Sequence, residues 1–149
     1  MTTNIEGAIN ELRTLFYSNW LSKTAVIAGY VPKVYFQDVE DSEIPDISKY
    51  YVRFSTKKAG SEQSTLSENV VTNGSRRFET YGIVFIQLFC PKLSNAGVNG
   101  LKLAMLAQEI FRNATANVTL KNASIKDLPP EDGAIRYNIT AEYEFDEIS

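Results

Sequence analysis

Acid–base chemistry in this sequence would have to come from carboxylates, because its 149 residues include 18 Asp and Glu side chains and no histidine. Histidine is the commonest general base and the commonest transition-metal ligand. Its absence excludes a Ser-His-Asp or Cys-His nucleophilic device and a zinc site built with histidine. Carboxylate pairs suffice in glycoside hydrolases, but no pattern here pairs two acids on rigid neighbours. We therefore expect no catalytic residues, no cofactor and no enzymatic activity.

The densest group of carboxylates lies between Asp38 and Asp46, where five acids occur without a basic residue. A segment of like charge repels itself and is typical of an exposed loop. Carboxylates are also hard oxygen ligands for Ca²⁺, but EF-hand spacing and a glycine turn are both missing. A solvated loop is the better interpretation, and no metal is expected. Four of its acids are candidates for contact with a partner: Asp38, Glu40, Asp41 and Glu43.

Four basic residues bracket a polar stretch that runs from Lys57 to Gly74. Asn73-Gly74 is a strong hairpin-turn signal, and Thr65 to Val71 suits an edge strand or one arm of a long hairpin. If the flanking strands pair, the basic residues would form a cluster at the base of the hairpin. A charged edge protects against aggregation, and contact with a partner is the other open interpretation. The candidate residues are Lys57, Lys58, Arg76 and Arg77.

The overall composition is that of one globular domain spanning residues 1–149, with 44% hydrophobic and 11% aromatic residues. The net charge of −3 does not predict nucleic-acid binding. No basic amphipathic stretch suits a membrane surface, and the first residues lack the pattern of a signal peptide. Cys90 is the only cysteine, so an intrachain disulfide is excluded. Its position at the end of an apolar run predicts a buried, unreactive thiol.

The most apolar run extends from Arg76 to Pro91 and predicts the central strand of a sheet. Ile83 to Phe89 is interrupted only by Gln87, which predicts that both faces of this strand are covered. Pro91 ends the strand because proline has no N–H for the ladder.

Two amphipathic helices flank the predicted strands. The first opens with a capping box at Thr3 and Glu6 and carries one apolar stripe: Ile5, Ala8, Ile9, Leu12, Leu15, Phe16 and Trp20. The second covers Val98 to Asn113. Together with the strands they predict an α+β fold, with a mostly antiparallel sheet of four to five strands and two helices packed on one face.

Alternation assigns faces to two further strands. Around Tyr50 to Ser55, Tyr50, Val52 and Phe54 lie on one side, and the last strand places its apolar residues on one face: Ile135, Tyr137, Ile139, Ala141, Tyr143 and Phe145. Residues 117–127 form either a broken strand pair or one bent strand. Leu128 to Gly133 predicts a turn.

The order of these elements resembles the phage tail terminator family, the small proteins that finish the tail tube of long-tailed phages. The similarity extends over nearly the whole chain and depends on order and spacing. It is carried by the N-terminal amphipathic helix and then by Val34-Tyr35-Phe36, Tyr50-Tyr51-Val52-Arg53-Phe54, Gly74-Ser75-Arg76-Arg77, Tyr81 to Pro91, Asn95-Ala96-Gly97 and Arg136 to Phe145.

The resemblance implies a structural virion protein without catalysis. Such proteins assemble as a hexameric ring on the last tail-tube ring, stop polymerisation and present a surface to the head–tail connector proteins. It also implies location at the head-proximal end of the tail, with host cytoplasm as the place of assembly, and genome DNA that only passes through the ring. Ring subunits meet head to tail, so the basic cluster and the acidic segments Asp38 to Asp46 and Glu142 to Glu147 would set register and choice of neighbour.

Three other functions are weighed against this one. A head-completion or other neck joint protein would also assemble as a ring of identical subunits. A small hydrolase is disfavoured by the missing histidine. An RNA-binding module needs aromatic residues on an exposed sheet face beside basic ones. The last strand instead places its aromatic residues on one face and acids on the other, so this class ranks low.

Overall fold

The computed structural model describes residues 4–37, 48–66, 76–91, 96–113, 115, 117–131 and 134–148. The candidate residues Asp38, Glu40, Asp41 and Glu43 lie outside this part of the chain. The described elements, in chain order, are α1 (Ile5–Lys23), α2 (Ala25–Ala28), β1 (Lys33–Phe36), β2 (Tyr51–Leu66), β3 (Arg76–Phe89), α3 (Ala96–Ile110), β4 (Thr119–Glu131) and β5 (Ala134–Ile148). The α+β class is confirmed, with the short helix α2 in addition to the two predicted helices.

The strands form one sheet in the order β1-β2-β3-β5-β4. β1 runs parallel to β2, and the other neighbouring pairs are antiparallel. β3 therefore lies at the centre, as its apolar sequence predicted. Its ladder with β2 continues as far as Leu66 opposite Arg76, so one arm of a long hairpin is present. The remainder of the polar stretch lies outside the described residues.

Helix α1 begins one residue later than the predicted capping box. Asn4 is its N-cap, and the Asn4 Oδ1 atom accepts a hydrogen bond of 2.7 Å from the Gly7 N–H. Thr3, which the sequence favoured as the cap, lies outside the described residues. The asparagine oxygen satisfies one of the N–H groups that have no partner within the first turn.

One apolar core lies between the helices and a single face of the sheet. The predicted stripe of α1 is buried at Ala8, Leu12, Phe16 and Trp20. The Phe16 ring lies 5.8 Å from the Phe54 ring of β2. It lies at the same distance from the ring of Phe111, the residue that follows α3. These contacts place α1 and α3 on the same face, which is also the face of Val84 and Ile86.

The sequence predicted that both faces of β3 are covered, but only one of them is fully buried. Val84, Ile86 and Leu88 are fully buried, whereas Ile83, Phe85 and Phe89 are only half-buried. No helix in the described part of the chain packs on this second face. The apolar run of β3 therefore has one buried side and one side shielded only by its cross-strand neighbours, a distinction that an unbroken apolar sequence does not reveal.

Strand β4 is one bent strand, and it includes residues that the sequence assigned to a turn. The bend is a bulge between Lys121 and Ser124, where Asn122 adopts φ 57°. The turn predicted from Leu128 to Gly133 starts too early, because β4 continues to Glu131, through Pro129 and Pro130. Glu131 pairs with Ala134, so the connection between β4 and β5 falls within the predicted range, at residues outside the described part of the chain. An edge strand tolerates proline because the N–H groups on its outer side have no neighbouring strand to which they would donate hydrogen bonds.

Candidate interaction surface on the open sheet face

The sheet face opposite the helices, here called the open face, is arranged in rows because cross-strand partners share a face. The strand register defines six rows. In order along the strands, they are Lys33, Tyr51, Phe89, Arg136 and Leu128; Tyr35, Arg53, Gln87, Asn138 and Lys126; Ser55, Phe85, Thr140 and Ser124; Lys57, Ile83, Glu142 and Lys121; Gly60, Tyr81, Glu144 and Thr119; and Glu79 and Asp146.

The first two rows form a basic end, defined as Lys33, Arg53, Lys126 and Arg136. The only ionisable groups in these rows besides these four are tyrosines. Arg53 and Lys126 are exposed. Four cations within two adjacent rows, with no carboxylate among them, give this end a positive potential that attracts a negatively charged surface.

An aromatic ladder crosses the basic end. The Tyr51 and Phe89 rings stack with centroids 4.6 Å apart, and the Tyr35 ring meets Tyr51 edge-on at 5.8 Å. The Arg53 guanidinium lies 5.4 Å from the centre of the Phe89 ring, and the Lys33 ammonium lies 5.0 Å from that of Tyr35. These cation–π contacts fix the basic side chains in place. They also leave less ring surface for an external group.

The opposite end of the open face is acidic, defined as Glu79, Glu142, Glu144 and Asp146. The Lys121 ammonium lies 3.2 Å from a Glu144 carboxylate oxygen. This hydrogen bond, followed by the charges of Glu144, Glu142 and Glu79, raises the pKa of Lys121. Three of these carboxylates thus act on Lys121, and Lys57 lies in the same row as Glu142. The acidic end keeps a net negative charge.

Two acids are paired across neighbouring strands, contrary to the sequence expectation. Glu79 of β3 is directly opposite Asp146 of β5. Both line an open cleft of about 300 Å³, together with Arg112 and Asn117. Like charges directly opposite each other are destabilising, and the nearby Lys121 ammonium, whose pKa Glu79 helps to raise, offsets part of this repulsion. In the described part of the chain, no three acidic or cysteine side chains are grouped closely enough to hold a metal ion.

The predicted basic cluster is split by the register of the hairpin. Lys57 and Lys58 pair with Ile83 and Gly82, whereas Arg76 and Arg77 pair with Leu66 and Thr65. The two groups are therefore five to seven residues apart along β3, or about 17 to 24 Å at the usual strand rise. The sequence missed this separation because it could not show how far the two strands remain paired. Each group remains a candidate for partner contact at its own place.

Cys90 is buried, as predicted, at the end of β3 and beneath α3. Burial raises the pKa of its thiol to about 12, so the thiol stays protonated at neutral pH. The neighbouring Tyr50 hydroxyl also has its pKa raised to about 12, first by burial and then by the proximity of Cys90. Because the thiolate is the reactive form of cysteine, this position has the features of a core residue.

Comparison with known proteins leaves the family open, because no family model matches the chain and no curated protein matches it. Within the described residues, every helix is too short or too polar to traverse a lipid bilayer.

Proposed function

We propose that this chain is a structural virion subunit of the tail-terminator kind, which forms a ring on the end of the tail tube, stops tube polymerisation and joins the tail to the head connector. The observation that carries the proposal is the order of elements along the whole chain. An amphipathic helix, a short strand, a long hairpin with the central strand, a helix and two closing strands follow one another in the order on which the resemblance depends.

A three-stranded extension of the sheet supports a docking role. β1 pairs with β2 only as far as Phe54. β4 pairs only with the first part of β5, from Ala134 to Glu144. The distal parts of β2, β3 and β5 continue beyond these points as far as Leu66, Arg76 and Ile148. The extension carries the split basic groups, with Lys57 and Lys58 exposed near its base. Such a projecting element suits contact with a neighbouring subunit or the tube.

The test mixes the protein with polymerising tail-tube subunits and measures tube lengths. We expect shorter tubes with the protein present at their ends. Replacing Arg76 and Arg77 by Glu preserves the fold and weakens ring formation or docking, with a smaller effect at high salt because exposed charges are screened. The matched control replaces Lys23 and Lys102, two exposed lysines of the helical layer, by Glu. Equal tube lengths with and without the protein would refute tail termination.

A head-completion or other neck joint is the alternative within the same structural class. It predicts binding to the portal or an adaptor protein and no binding to the tail tube. Affinity capture with purified tube, portal and adaptor proteins separates the two roles.

A nucleic-acid-binding module is a second candidate because the open face brings aromatic rings and cations together. Tyr35, Tyr51 and Phe89 lie beside Lys33 and Arg53. From the sequence this class ranked low, because β5 places its aromatic residues on one face and its acids on the other. Base stacking needs free ring faces, yet Tyr51 already stacks on the Phe89 ring and the Arg53 guanidinium lies 5.4 Å from its centre. Titration with single-stranded RNA and DNA tests this candidate, and binding that is lost in Tyr51→Ala would support it.

A further inference from the structure

The open face carries opposite charges at its two ends and a neutral row between them. Lys33, Arg53, Lys126 and Arg136 mark the basic end, and Glu79, Glu142, Glu144 and Asp146 mark the acidic end. We propose that this face binds the same face of a second copy of the chain, in an antiparallel arrangement that sets the basic end of each copy against the acidic end of the other.

The symmetry of such a pair follows from the direction of the charge gradient. The net charge changes sign along the strands, although Lys57 and Lys121 share the row of Glu142, so a two-fold axis parallel to the rows places unlike ends together at both ends of the contact. The axis passes between the third and fourth rows, so the half-buried Phe85 of one copy meets Ile83 of the other and Arg136 faces Asp146. A two-fold contact of this kind uses one patch on both subunits and closes on itself.

The apolar content and size of the face suit a stable pair. Ile83, Phe85 and Phe89 are half-buried, and Tyr81 is 39% exposed. Five strands span about 24 Å and six rows about 41 Å at the usual strand spacing and rise, and only the first two rows include all five strands. A patch of this size approaches the roughly 800 Å² that each partner buries in a standard interface. Two sheets that pack face to face bury their side chains in this way.

The charge pattern favours a second copy over a nucleic acid. A polyanion would be attracted by Arg53 and Lys126 but repelled by Glu142 and Glu144, which lie two and three rows along the strands, about 14 and 20 Å away. Because the open face carries a basic end and an acidic end, a second copy places an opposite charge against each of them at once. The proposal does not depend on tail termination, because it is argued from the charges and the rows of the open face alone.

The experiment uses two charge-reversed variants of the full chain. The first carries Lys33→Glu, Arg53→Glu and Lys126→Glu, which gives both ends a net negative charge. The second carries Glu142→Lys and Glu144→Lys, which gives both ends a net positive charge because Lys57 and Lys121 already lie at the acidic end. Sedimentation equilibrium at low salt measures self-association. We expect dimers of the wild-type chain and dissociation constants roughly tenfold or more weaker for each variant alone, because like charges then oppose each other at both ends.

Mixing the two variants provides the decisive measurement. In an acidic–basic pair both ends again carry unlike charges, so the mixture is expected to restore association in the form of a heterodimer. Lys23→Glu with Lys102→Glu serves as the control and should associate as the wild type does, and thermal melts verify that every variant is folded. The proposal is overturned if the folded wild-type chain stays monomeric at high concentration, if either variant associates normally alone, or if the mixture fails to associate. Salt-dependent RNA binding without dimers would assign the face to a nucleic acid instead.

Discussion

A single glycine decides how closely helix α3 approaches the end of the central strand. A Cβ atom at Gly100 would lie 2.5 Å from the Cys90 Sγ atom and 3.3 Å from the Tyr137 ring. No side chain can occupy that space unless the thiol gives way. The pair Gly100 and Cys90 therefore acts as one packing unit that joins the helix to the sheet.

Gly100→Ala is expected to destabilise the protein by about 1–3 kcal/mol through overpacking, despite the better helix propensity of alanine. Cys90→Ala removes the obstructing sulfur, so the double variant should lose less stability than the sum of the two single variants. Urea unfolding of all four proteins measures this coupling. Additive losses would show that the sulfur is not what excludes the methyl group.

Alkaline pH should weaken the fold through the same thiol. The pKa of Cys90 is raised from 9.0 to about 12, so the folded state holds its proton when the unfolded state has lost it. Its contribution to stability is fully present below pH 9 and declines as the pH rises toward 12. We expect the melting temperature to fall above pH 9. Cys90→Ala, although less stable overall, should show a shallower decline between pH 9 and 10, before the tyrosines ionise in the unfolded chain.

At the scale of elements, one carboxylate links α1 to the segment before β4. Glu11 accepts hydrogen bonds from the Thr115 hydroxyl at 3.0 Å, from the Asn117 N–H at 3.3 Å and from the Asn117 side-chain amide. Glu11 is not part of the apolar stripe of α1, and helical periodicity does not show that a distant loop folds against its side of the helix. A polar residue thus stabilises the connection between α1 and the segment before β4.

Glu11→Ala is expected to lower the free energy of unfolding by about 1.5–3 kcal/mol, since hydrogen bonds to a charged group are among the stronger ones. Glu109→Ala is the matched control because its ion pair with Arg112 is exposed and contributes little. Denaturant unfolding distinguishes the two. Losses of equal size would mean that the Glu11 hydrogen bonds add nothing beyond a surface pair.

The two faces of β5 give a sharper contrast between neighbouring residues. Tyr143 is 1% exposed in the core, whereas Glu144 belongs to the open face and pairs with Lys121. Tyr143→Asp should unfold the domain, at a cost of more than about 4 kcal/mol for an unpaired buried charge. Glu144→Lys should leave it folded, and so should Tyr143→Phe, because the Tyr143 hydroxyl has no hydrogen-bond partner among the described residues. Thermal melts compare the three variants.

Periodicity predicted the helices, the central strand and the faces of β2 and β5, because local spacing determines which side of an element is apolar. It could not predict which faces are covered, since Ile83 and Phe85 are as apolar as Val84 and Ile86. It also misjudged Pro129 and Pro130, which are turn residues by composition but lie in an edge strand.

At the scale of the whole molecule, the candidate surface was the least predictable feature. Its rows exist only through the register of five strands, which brings Lys33 of β1 and Arg136 of β5 into one line. The residues that the sequence selected by local charge, Lys57 and Arg77, turned out to lie on different parts of the hairpin. Pairing between distant segments is set by tertiary structure, and a search for clusters along the chain cannot find it.

The position of β5 also bears on how the protein is made. This strand follows every other described element in the chain, yet it lies between β3 and β4. While the polypeptide is being synthesised, the apolar stretch from Ile83 to Phe89 therefore has an unpaired flank until the last strand arrives. Such a flank is a template for contact between nascent chains. Premature termination after β4 would release a fragment whose central strand is a bare edge, and translation that stalls there should produce aggregates instead of a smaller folded domain.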